Sequence, residues 1–145
     1  MGLKNIGENR PQELVRKYDI IGNRANFHMI GHLQTNKVKY IIDKVSLIHS
    51  LDRLSLAEEL QKRASKLNIT VNALIQVNVA QEDSKFGLKV NEVIPFIKQI
   101  EEFNNIKIKG LMTVAPNVED PEEVRWVFRD LRRLSEDISK MNFNN

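Results

Sequence analysis

Residues 71–79 read VNALIQVNV, a strand-length apolar run in which Asn72, Gln76 and Asn78 interrupt aliphatic residues. In an open parallel sheet, covered on both faces, those amides would be costly unless hydrogen-bonded. In a barrel, one face of each strand points to the interior, where polar groups near the carboxyl end line a ligand site. The run therefore points to barrel geometry.

Working outward, similar short runs lie at 3–6, 27–30, 46–50 and 106–114, each followed by a segment with helical spacing. Pro11 suits a first helical turn, with Leu14, Val15 and Tyr18 on one face. Val38, Ile41, Ile42 and Val45 form a second stripe, and Ser55 with Glu58 reads as a capping box before Leu56, Leu60, Ala64 and Leu67. Val90, Val93, Ile94, Ile97 and Ile100 give another stripe, with Pro95 near enough to its start to be tolerated. Asp120 caps and Pro121 opens the last helix, whose buried stripe is Val124, Val127, Phe128, Leu131, Leu134 and Ile138. Trp126 falls off that stripe. Strand–helix repeats of this kind imply right-handed crossovers and a parallel sheet. The expected fold is α/β: an incomplete (β/α)8 TIM-type barrel of about five consecutive parallel strand–helix units, residues 1–145 forming a single partial barrel domain.

The chain has 145 residues, 41% hydrophobic and 28% charged, with a formal net charge of +3. Its basic residues are spread along the chain, so nucleic acid is not an expected partner. The cluster Arg125, Arg129, Arg132 and Arg133 reads as a solvated helix face, with a binding module as the other reading. No apolar run reaches membrane-span length and no signal peptide opens the chain, so no membrane partner and a cytoplasmic location are expected. With no cysteine, thiol catalysis and Cys-based metal sites are excluded. His28 and His32 have the spacing of a helical metal pair, but FHMIGHL reads as a strand entering a glycine turn, so no metal site is expected.

In parallel α/β folds, ligand groups gather where strands turn into helices. Those positions include Glu8, Asn9, Arg10, Gln34, Lys37, Asp52, Arg53, Asn78, Glu82, Asp83, Ser84, Lys85, Met112 and Thr113, a set rich in amides and cations. No catalytic residue is assigned among them. Lys85 beside Phe86 reads either as a solvated loop lysine or as a desolvated amine nucleophile. Glu8 reads as a partner of Arg10 or a helix cap, with a general acid or base as the other reading, and His28 as a hydrogen-bonded interior histidine.

The blocks NIGENRPQEL, HMIGHLQTNK, SLDR, LIQVNVAQEDSKFGL and KGLMTV, in this order and approximate spacing, resemble the YggS/PROSC family from about Gly2 to about Lys140. These are pyridoxal 5′-phosphate (PLP) homeostasis proteins, related in fold to the N-terminal barrel of alanine racemase. The resemblance implies a non-catalytic PLP carrier, with PLP-dependent apoenzymes as partners. It implies cofactor-binding roles for Asn9, His28 and Met112, and for Lys85 a part in PLP handling away from the main site. An amino-acid racemase-like enzyme is the alternative. The family's first-strand PLP lysine and its last two blocks, which bind the phosphate and contact the pyridine ring, have no counterpart here. The chain thus reads as strands two to six of the barrel, with weakened PLP binding and a tendency to pair its exposed edges with a second copy.

Overall fold

The computed structural model describes residues 2–83 and 85–143; Ser84 lies outside the described residues. Five strands, β1 (Asn5–Glu8), β2 (Asn26–Met29), β3 (Val45–Leu51), β4 (Val71–Gln76) and β5 (Ile106–Met112), alternate with helices. These are α1 (Pro11–Ile21), α2 (Val38–Ile41), α3 (Leu54–Leu67), α4 (Val90–Gln99) and α5 (Arg125–Ser139). All neighbouring strands are parallel, and their spatial order is their chain order. A doubly wound sheet reverses order at a switch point and so places helices on both faces. A sequential order with right-handed crossovers places every helix on one face and leaves the other as a concave barrel interior. The chain is an open segment of a TIM-type barrel.

Burial follows this division. On the helix side of β4, Val71, Ala73, Ile75 and Val77 are buried, while Asn72, Leu74 and Asn78 between them are only partly covered. On β2, Phe27 and Met29 are fully buried and His28 is partly exposed. The core between sheet and helices gathers Leu14, Phe27, Ile41, Ile48, Leu60 and Ile75, each stabilising by roughly 1.5–3 kcal/mol. Tyr18 of α1 meets Phe27 edge-on, with centroids 5.5 Å apart. Gln61 and Asn105 exchange two 2.9 Å hydrogen bonds and tie α3 to the start of β5.

Several local expectations need correction. The second stripe is not one helix, because α2 ends at Ile41 and Val45 already opens β3. Ser55 is not a cap: α3 begins at Leu54, so Ser55 lies inside its first turn. The first turn of α4 is instead closed by Glu92, whose carboxylate accepts from the Lys89 N–H at 2.8 Å. Pro95 sits in the second turn of α4 rather than near its start, and the helix continues through it. Asp120 accepts from Glu122 N–H as expected, but that turn is 3-10 and α5 proper starts at Arg125. Phe128 is 53% exposed, because the inward spacing of α5 runs through Val127, Leu131, Leu134 and Ile138.

Candidate functional site

The concave face and the strand carboxyl ends carry the polar groups. Register places Gly7 beside His28, and Gln76 beside Met112. A register shift between Phe27 and His28 then sets Leu47 against His28 and brings His49, two residues on, to the same face. His28 Nδ1 and His49 Nε2 are 3.0 Å apart, with the rings tilted at 50° and centroids separated by 5.2 Å. Burial, and then the neighbouring His28, hold the pKa of His49 below the ordinary histidine value.

The loop after β4 is fastened at its base. The Asn78 side chain donates to the carbonyls of Glu82 (2.8 Å) and Lys85 (3.4 Å) and accepts from the Glu82 N–H (3.2 Å). Backbone bonds join Asn78 N–H to Leu88 and Leu88 N–H to Gln76. Gly87 has φ +117, and a Cβ there would lie 2.8 Å from the Asn78 nitrogen. From this loop Lys85 Nζ donates to the Ala115 carbonyl at 2.9 Å and lies 3.0 Å from the Glu82 carboxylate. The ring of Phe86 is not the wall of a lysine pocket; it stacks on His32 with centroids 3.8 Å apart.

At the rim, Gly31 packs on the backbone of Asn9, where a Cβ would overlap the Asn9 carbonyl oxygen. Asn9 and His32, with Arg10, Gln34 and Lys37, line a cleft of about 270 Å³ between the loops after β1 and β2. Burial, and then the charge of Arg53, lower the pKa of His32, with Asp52 opposing. Glu8 pairs with Lys17 of α1 rather than with Arg10.

The four expected cofactor residues therefore sit in three places. His28 is mid-sheet on the concave face, paired with His49; it does not meet His32. Met112 ends β5, its carbonyl accepting from the Val77 N–H at 2.8 Å, and Thr113 donates to the Val77 carbonyl at 2.7 Å. Lys85 leans towards the loop after β5, whereas Asn9 lies at the opposite rim of the sheet. His49 and the His32–Phe86 stack were not among the expected site groups. The alternation of Leu47 and His49 along β3 was the only local signal for the former. Of the α5 arginines, Arg125 pairs with Glu122 and Arg132 with Glu136, as a solvated face would. Among the described residues no helix is long and apolar enough to cross a membrane.

Comparison with known proteins gives a consistent picture. The chain is 48% identical over 140 residues to the pyridoxal phosphate homeostasis protein of Aquifex aeolicus (strain VF5), covering 96% of this chain and 61% of that protein. PipY of Synechococcus elongatus PCC7942 superposes with TM-score 0.89 and 27% identity without PLP (97% of this chain, 66% of PipY). With PLP bound, PipY gives 0.86 and 25% over the same shares. An alanine racemase of Clostridium difficile 630 shares the fold, with TM-score 0.77 at 13% identity over 97% of this chain and 37% of that one. The chain spans about three fifths of the length of the curated relatives it matches. The family described as alanine racemase, N-terminal domain, matches residues 2–145, and the chain belongs to that family.

Proposed function

We propose that this protein binds PLP and serves PLP homeostasis in the cytoplasm as a non-catalytic carrier. The likeness to PLP-bound PipY along nearly the whole chain carries this reading. The residues present fit the cofactor. PLP is an aromatic ring with hydrogen-bonding substituents and an anionic phosphate. The concave face offers the imidazole of His28 on β2 and, three strands away on β5, the thioether of Met112 beside the Gln76 amide, while Lys85 supplies a cation at the strand ends. Asn9, His28 and Met112 line the cofactor site in this reading, Lys85 handles PLP away from them, and no catalytic residue or metal is assigned.

When bound, PLP supplies an aldehyde that reacts reversibly with amines. The chain's own groups do simpler work. His28 and Gln76 orient by hydrogen bonds, Met112 packs, and the Glu82 carboxylate and Ala115 carbonyl keep the Lys85 ammonium in place. The recipients are PLP-dependent apoenzymes, and the free edges of β1 and β5 favour pairing with a second copy of the chain.

Equilibrium titration with PLP, followed by borohydride reduction, intact mass and peptide mapping, tests the reading. Saturable binding with one pyridoxyl group at Lys85 is the expected result. Labelling scattered over surface lysines, or none, overturns it.

A further inference from the structure

We propose that His49 is a positioning residue for His28, holding that imidazole so that its Nε2–H faces a ligand on the concave surface. This rests on the PLP reading and adds to it the residue that orients His28 and the ligand chemistry that His28 selects.

A hydrogen bond between two imidazole nitrogens needs one N–H and one lone pair, so this pair cannot hold two charges and keep its 3.0 Å contact. Burial and the adjacent ring make His49 the neutral member. His49 then either donates from Nε2 to a neutral His28, or accepts from a cationic one. In both arrangements His28 carries hydrogen on Nε2, because an imidazole accepting at Nδ1 is protonated at the other nitrogen. A neutral His28 donating from Nδ1 would instead leave Nε2 bare, and that is the arrangement the experiment must separate.

Geometry favours a ligand at this ring. Among the described residues no other side chain hydrogen-bonds His28. Its neighbour on the β1 side is Gly7, where the space a Cβ would take is held by the end of the Ile30 side chain. His49 thus braces His28 at Nδ1, while the ring stays partly exposed on the concave face. An Nε2–H presented this way selects an acceptor oxygen, such as the phenolate or phosphate oxygens of PLP, over a protonated amine.

The test combines histidine ¹⁵N spectra of the wild-type chain, with and without PLP, and PLP affinities of His49→Phe and His49→Gln. A protonated His28 Nε2 whose signal moves with PLP is expected. His49→Phe, which keeps ring bulk without nitrogen, should weaken PLP binding about tenfold, and His49→Gln should restore most of it. A bare Nε2, a His28 signal unmoved by bound PLP, or wild-type affinity in His49→Phe overturns the assignment and leaves the PLP reading standing. A wild-type chain that binds no PLP overturns that reading and this one with it. Should His49→Phe fail to fold, the wild-type spectra and His49→Gln decide.

Discussion

Phe86 lies against His32 with ring centroids 3.8 Å apart and planes 14° from parallel, pinning the loop after β4 to the loop after β2 past the intervening strand. The stack covers one face of an imidazole whose pKa is already lowered, first by burial and then by Arg53. Phe86→Ala should uncover that ring and raise the His32 pKa towards its ordinary 6.5, as read by NMR titration. Phe86 is 53% exposed, so the stability cost should stay near 1 kcal/mol. An unchanged His32 titration would count against the stack.

His32 and His49 together predict the acid side of the stability profile. Both have folded pKa values below 6.5, so between those values and 6.5 the unfolded chain binds more protons than the folded one. Stability is therefore complete above 6.5 and declines as pH falls through the lowered values. Urea midpoints measured across that window should fall with pH, and less so in His49→Gln. A flat profile would show that neither ring is held neutral.

Glycine substitutions should separate a rigid contact from a yielding one. A Cβ at Gly31 meets the Asn9 backbone, which cannot move without shifting β1, whereas at Gly7 it meets the end of the Ile30 side chain. Gly31→Ala should cost about 3 kcal/mol or more and Gly7→Ala about 1–2 kcal/mol. Equal costs by denaturant unfolding would contradict this ordering.

Asn78 provides a further test. Its amide makes three hydrogen bonds at the base of the loop after β4. Asn78→Ala should cost about 2 kcal/mol and admit protease within residues 81–87 before global unfolding. Protection equal to wild type would place the fastening elsewhere.

Self-association is the last expectation. The outer edges of β1 and β5 have no strand partner among the described residues, and parallel edges invite pairing. Light scattering should show mass rising with concentration; a monomer throughout would remove edge pairing as an interface.

Strand positions and barrel class were readable because alternation is local: the amides of VNALIQVNV announce a two-sided strand by themselves. The helix ends were less readable. Ser55 and Glu58 have capping-box spacing, yet Arg53 is the N-cap, because tertiary packing of Leu54 against the core starts the helix two residues earlier than the motif. Phe128 differs from its buried neighbour Val127 by a single helical step, which apolar spacing alone does not resolve. The His28–His49 pair depends on a register shift between strands joined through α2, and the His32–Phe86 stack on two loops 54 positions apart in sequence. Beyond the alternation of Leu47 and His49 along β3, neither leaves a local trace. Lys85 was recognised, but its partner Ala115 comes from the next crossover.

The parity of each strand has a consequence for how such a protein changes over generations. Odd-numbered positions of β4 face the helices and even-numbered ones face the hollow, so folding and recognition are written in alternate letters of one segment. A drifting lineage can rewrite Asn72 while Val71, Ala73 and Ile75 stay fixed. New ligand preferences then arise by single substitutions that the core does not register.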